Sequence, residues 1–322
     1  MSSRARVMAV ILARIMCGAL MLASGAAIAA EQSAPSGTTV DRHITADGRE
    51  RGYRLHLPPM AGGNEPRPLV LVFHGGGGDP ASAERLTRFS ALADRAGFVI
   101  VYPEGVGKNW NDGREHAYAG AFRDAVDDVA FVSALIDALA GELALDPRRI
   151  YATGISNGAI FVNHLAAHLS PRLAAIAPVA GSIAVPFDAR FAPAQAVSVL
   201  MINGTDDPLV PYQGGGVARG RRGEVIGVEA AIQKWASANA CSGVPRTAQL
   251  PDTDPADGCR GLSVTWTACR DHTTVALYRL EGGGHTWPGG PQYLPDFIIG
   301  KTCNDLDATA EIWKFFAAHP RP

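Results

Sequence analysis

The chain has 322 residues and a formal net charge of -2, a near-neutral balance that argues against nucleic acid or an anionic membrane surface as its partner. Its 36 glycines and 22 prolines are too many for an all-helical bundle and fit a loop-rich α/β protein. The length allows one large domain or two modest ones.

Residues 1–30 read as an export signal: Arg4, Arg6 and Arg14 form a basic start, residues 15–28 an apolar stretch, and Ala27-Ile28-Ala29 an A-x-A cleavage pattern. A membrane anchor fits less well, because the stretch is short, diluted by Gly18, Ser24 and Gly25, and bounded by Arg14. The expected location is therefore secreted or periplasmic, with no membrane association after cleavage. Residues 31–40 then form a polar, flexible leader.

From Asp41 onward strands and helices alternate. Residues 42–45 and 50–57 predict a hairpin around Ala46-Asp47-Gly48. The continuous apolar run Leu69-Val70-Leu71-Val72-Phe73 predicts a strand buried on both faces. A helix follows over residues 82–96, with Leu86, Phe89, Leu92 and Ala93 on one face, and then a buried strand over 98–102. After a loop over 103–125, residues 127–143 form a helix whose acidic first turn suits its dipole. Residues 149–153 are a strand and 159–169 a helix; strands follow at 174–179 and 197–202, a helix at 228–239, strands at 262–267 and 274–280, and a closing helix at 308–318. This alternation predicts an α/β fold, with one mostly parallel sheet covered by helices on both faces, as a single domain over 41–320.

Beyond Cys17 the chain has Cys241, Cys259, Cys269 and Cys303. An even count in an exported chain points to disulfides, and the spacings resemble no zinc site, so no metal is expected. Three connectivities are open; the favoured one joins Cys241 to Cys269 and Cys259 to Cys303, which sequence alone does not prove.

Between the strand at 149–153 and the helix at 159–169 lies Gly154-Ile155-Ser156-Asn157-Gly158. A serine between glycines at a strand-to-helix turn matches a nucleophile elbow, where only small residues clear the neighbouring backbone. On its own the pentapeptide fits an ordinary surface turn equally well. Three other strand ends give it partners. His74-Gly75-Gly76-Gly77-Gly78 follows the first buried strand, where glycines let a backbone N–H approach a substrate carbonyl, and His74 reads as an anchor for that loop rather than a base. Asn203-Gly204-Thr205-Asp206-Asp207-Pro208 brings two aspartates to a strand end, and turn chemistry does not choose between them. Glu281-Gly282-Gly283-Gly284-His285 brings a histidine to the end of the last buried strand, where it could act as a general base.

Taken in chain order, these segments together with Asp47-Gly48-Arg49-Glu50, Tyr102-Pro103-Glu104-Gly105, Trp110-Asn111, Val126-Asp127-Asp128-Val129 and Gly284-His285-Thr286-Trp287-Pro288-Gly289 resemble the secreted polyhydroxybutyrate-depolymerase-like esterases. That family also contains feruloyl and related carbohydrate esterases. The resemblance implies an α/β-hydrolase fold and a serine carboxylic-ester hydrolase with a triad of Ser156, Asp207 and His285. The family pattern Gly-Thr-x-Asp falls on Asp207 and leaves Asp206 as a solvated turn residue. An oxyanion hole from the N–H groups of Asn157 and Gly76 follows, with no cofactor or metal. Cys303 departs from the small polar residue expected there. The short chain between the strands at 174–179 and 197–202 leaves no room for a large lid domain, so the site should be open to a small or polymeric ester. Trp110, Asn111, Trp287 and Tyr212 are the candidate cleft residues, with simple packing as the alternative. Arg219, Arg221 and Arg222 could meet an acidic substrate but read more simply as a solvated loop. An exported serine peptidase or amidase, and a non-catalytic carbohydrate-binding member of the fold, are the competing readings.

Overall fold

In the computed structural model the described residues are 36–59, 65–115 and 126–322. The expected export signal lies outside them. The flexible leader lies partly outside, and its last residues, from Thr38, already belong to a strand.

Among the described residues ten strands form one sheet. β1 (Thr38–Ala46) and β2 (Arg49–Leu57) are the hairpin read from sequence. β3 (Arg67–Phe73), β4 (Val99–Pro103), β5 (Leu145–Ile155), β6 (Ala175–Val179), β7 (Ser198–Gly204) and β12 (Val275–Glu281) run parallel through the centre in the order β4-β3-β5-β6-β7-β12. The margins are antiparallel: β2 pairs with β4 on one side, and β11 (Arg260–Trp266) with β12 and β10 (Arg246–Gln249) on the other. β8 (Gly215–Gly216) and β9 (Glu224–Val225) make a separate two-residue pairing.

Side chains of β3 alternate between two cores. Leu69, Leu71 and Phe73 pack with α3 (Asp128–Glu142), α4 (Asn157–Leu169) and α6 (Val228–Ala238). Val70 and Val72 pack on the opposite face with α1 (Pro80–Thr87), α2 (Phe89–Ala96) and α8 (Ala308–Ala318). A strand enclosed on both faces needs apolar residues at every position, which is why this stretch has no polar alternation.

The helix expected over 82–96 is two helices. Arg88 stands in the left-handed region at φ 55° and ends α1, turning Phe89 at the start of α2 inward against Phe98 and Trp287. α1 also starts earlier, at Pro80, because Asp79 caps it: the Asp79 carboxylate accepts from the Ser82 N–H at 2.8 Å while the Asp79 N–H donates to the Ser82 hydroxyl at 2.8 Å. Short helices α5 (Val185–Asp188) and α7 (Asp296–Ile299) complete the set described.

Cys241 is bonded to Cys269 and Cys259 to Cys303. Among the described residues the metal-compatible grouping is Cys259, Cys303 and Asp305, and both of its sulfurs are already in the disulfide. No helix among the described residues is long and apolar enough to cross a membrane.

Candidate active site

Ser156 stands between the end of β5 and the start of α4, with φ 59° and ψ -123°. A non-glycine residue rarely adopts that conformation, and at a strand-to-helix turn it is the backbone geometry that a nucleophile elbow requires. The turn lies against β3. A Cβ on Gly158 would stand 2.5 Å from the Phe73 carbonyl oxygen, and one on Gly154 would stand 2.7 Å from the same oxygen. Backbone meets backbone there, so neither position accepts a side chain.

The Gly75–Gly78 turn faces Ser156. His74 is buried; its Nε2 accepts from the Gly105 N–H at 3.0 Å, so Nδ1 carries the proton and donates to the Gly75 carbonyl at 2.8 Å. Burial lowers the His74 pKa and favours this neutral form. The Gly78 N–H donates to the same carbonyl at 3.0 Å, while the Gly77 N–H donates to Lys108 at 2.7 Å. A trans peptide points its C=O and N–H in opposite directions. Holding the Gly75 carbonyl from two sides therefore fixes the direction of the Gly76 N–H, and His74 has the anchoring place expected for it.

Asn157 begins α4, where a backbone N–H has no carbonyl of a preceding turn to bond. Its side chain faces the interior. Oδ1 accepts from the Trp110 N–H at 2.8 Å, and Nδ2 donates to the Trp110 carbonyl at 3.1 Å and to Asp112 at 2.5 Å. Asp112 in turn is paired with buried Arg114 at 2.6 Å, and Arg114 Nη1 donates to the Arg222 carbonyl at 2.8 Å.

At the end of β7, Asp207 is 6% exposed and His285, on the loop after β12, is 2% exposed. His285 Nδ1 donates to Asp207 Oδ2 at 2.7 Å. Asp207 Oδ1 accepts from the N–H groups of Leu209 and Val210 at 2.8 Å each, so the carboxylate is held on both oxygens. Asp206 is exposed, with Oδ1 accepting from the Thr205 hydroxyl. The His285 backbone is held by the segment around α7: its N–H donates to Ile299 at 2.5 Å, the Gly284 N–H to Lys301 at 2.8 Å, and Tyr293 Oη donates to the His285 carbonyl at 2.9 Å. Burial raises the Tyr293 phenol pKa, with the nearby Asp207 charge adding to it, so the phenol stays a donor.

Ser156, Gly76 and His285 line one cleft of about 620 Å³. With the proton of His285 Nδ1 engaged by Asp207, Nε2 is the nitrogen left to take a proton from a nucleophile. The cleft walls are mostly apolar, with Leu86 on α1, Leu209 after the Asp207 turn, and Tyr293, Leu294 and Ile299 around α7.

The aromatic residues expected in the cleft do not line it. Trp110 is 0% exposed, stacks on Phe161 and donates Nε1–H to the His74 carbonyl at 3.0 Å. Trp287 is 1% exposed and donates to Thr309 at 3.0 Å. Tyr212 is buried with its hydroxyl on Glu229. Asn111 is tied to Asp128 through its N–H and to the Val126 carbonyl through its side chain. Each indole or phenol found a polar partner inside the protein, which makes burial favourable. Residues that do line the cleft and were not singled out are Arg85, Leu86, Leu209, Tyr293, Leu294 and Ile299. For Tyr293, Leu294 and Ile299 the signal was the largely apolar run Tyr293-Leu294-Pro295-Asp296-Phe297-Ile298-Ile299, close behind His285. Of the three arginines read as a solvated loop, Arg222 lines the cleft.

The sheet order and helical cover are those of an α/β-hydrolase fold. In fold the chain is similar to an acetyl xylan esterase from Aspergillus awamori, with a TM-score of 0.57 at 12% identity over 86% of this chain and 99% of that one. The family model described as "Esterase PHB depolymerase" matches residues 51–226, more than half of the chain, and the chain belongs to that family of carboxylic-ester hydrolases. It is 34% identical over 278 residues to "Putative esterase NocK" of Nocardia uniformis subsp. tsuyamanensis, covering 84% of this chain and 80% of that protein. With Feruloyl esterase B of Piromyces equi it shares 27% identity over 239 residues, 72% of this chain but 42% of that protein.

Proposed function

We propose that the protein is an exported serine esterase that works through Ser156, His285 and Asp207 and an acyl-enzyme. The observation that carries this is the buried His285–Asp207 pair opening onto the same cleft as a strained serine. Ser156 Oγ attacks the ester carbonyl as His285 Nε2 takes its proton, and Asp207 holds the imidazole and stabilises its charged form. The N–H groups of Gly76 and Asn157 receive the developing oxyanion, each contributing about 3 kcal/mol to the transition state. His285 then protonates the leaving alcohol, and water releases the acid by the same steps in reverse.

Export follows from the signal pattern in residues 1–30 and agrees with two disulfides, which persist in oxidising compartments. Hydroxyalkanoate, feruloyl and acetyl esters are the candidate substrate classes, and family membership supports all three. Covalent labelling by a fluorophosphonate, abolished in Ser156→Ala, is the test; an unlabelled wild type would remove the serine mechanism. Faster turnover of a p-nitroanilide than of p-nitrophenyl acetate would point instead to a peptidase or amidase.

A further inference from the structure

Arg85 and Arg222 line the cleft, and among the described residues that line it there is no aspartate or glutamate. The other walls are largely apolar, so the charges act where water screens them less than at an open surface. The described walls thus have cations and no carboxylate, which complements a negatively charged ligand.

Arg222 is the better placed of the two. Its Nη1 lies 3.4 Å from the point a Gly76 Cβ would occupy, and the same point is 3.6 Å from Asn157 Cβ. The guanidinium therefore stands beside Gly76, one of the two residues proposed to hold the oxyanion. Its backbone is fixed from both sides: the Arg222 N–H donates to Val217 at 3.2 Å, and its carbonyl accepts from Arg114, which is tied through Asp112 to Asn157. The loop is also joined to the acid turn, since the Ala218 N–H donates to the Leu209 carbonyl at 2.7 Å and the Leu209 N–H donates to Asp207. Ala218 and Arg219 hold left-handed φ values of 48° and 61° to make this path. Arg85, on the last turn of α1, is exposed and lines the same cleft.

We propose, building on the esterase reading above, that the cleft selects esters whose acyl group ends in a carboxylate, and that Arg222 recognises that carboxylate. The acyl side is chosen because Arg222 adjoins Gly76, next to the place of the acyl carbonyl. A guanidinium has several N–H donors in a planar fork, so it can engage a carboxylate while keeping a contact to the protein. Half-esters of short dicarboxylic acids are the class that fits, in place of the hydroxyalkanoate, feruloyl and acetyl esters that family membership suggests.

The test compares p-nitrophenyl pentanoate with mono-p-nitrophenyl glutarate, matched in chain length and differing in the terminal carboxylate. The expected result is a kcat/KM ratio favouring the glutarate by about tenfold or more at low ionic strength, shrinking as salt is added. In Arg222→Met the ratio should collapse towards one, mainly through KM, and Arg222→Lys should restore part of it. Free glutarate should inhibit wild-type hydrolysis of the pentanoate more strongly than it inhibits Arg222→Met. A wild type with no preference, or an Arg222→Met enzyme that keeps the wild-type ratio, overturns the proposal while leaving the esterase reading intact. Turnover of neither ester, with no fluorophosphonate labelling, removes both.

Discussion

On the Ser156 side of the cleft, the groups that matter are fixed by the interior. The elbow is pressed against β3, the Gly75 carbonyl is clamped by His74 and Gly78, and the Asn157 side chain is locked to Trp110 and to the Asp112–Arg114 pair. On the His285 side, Asp207 is held by its own turn, but the histidine backbone rests on the irregular segment around α7. That segment is joined by hydrogen bonds from Gly284, His285 and Tyr293 and closed by the Cys259–Cys303 bond. The contrast separates two kinds of support. Damage to the first wall should cost the fold itself, whereas damage to the second should loosen the histidine while the sheet survives.

The sharpest way to break this contrast is Asp112→Ala. It leaves the Arg114 guanidinium buried without its carboxylate, a loss of about 3–5 kcal/mol in urea unfolding. A stability within about 1 kcal/mol of wild type would mean that this wall is not built on the ion pair. Next in size is the disulfide. Cys259 and Cys303 are 44 residues apart and Cys241 and Cys269 are 28 apart, so replacing either pair by serine should cost about 2–4 kcal/mol. The two should part in kinetics: losing Cys259–Cys303 lowers kcat of the folded enzyme, and losing Cys241–Cys269 lowers Tm alone. Equal kcat in both double variants would show that the α7 segment holds His285 without its disulfide. The smallest effect is expected from Tyr293→Phe, which removes one hydrogen bond to the His285 carbonyl. It should cost about 0.5–1.5 kcal/mol and lower kcat by less than about tenfold.

Much of the first wall was legible in the sequence, because its constraints are local. The unbroken apolar run of β3, the glycines on either side of Ser156 and the position of His74 each state a short-range requirement. The rest of the molecule was less legible. Arg88 carries no mark of a left-handed residue, so one helix was read where the chain makes two. β10, Arg246-Thr247-Ala248-Gln249, is a largely exposed edge strand with no alternating pattern to betray it. Trp110 and Trp287 show the commonest ambiguity: an indole beside a catalytic motif suits a cleft and a core equally, and a polar partner such as the His74 carbonyl decides between them. Arg222 reached the cleft through a contact with Arg114, 108 residues away along the chain, and no local pattern encodes that distance.

The Asn157 side chain is engaged wholly within the interior, and the role proposed for this residue uses only its backbone N–H. The identity of this residue is thus set by its neighbours in the core, and the reacting ester is blind to it. Residues that line the cleft away from Ser156, such as Leu209, Arg222, Tyr293 and Leu294, stand on segments outside the central strands. A lineage can therefore exchange one ester for another by single changes in those segments. Inheritance of the chemistry and drift of the preference are kept on separate parts of the chain.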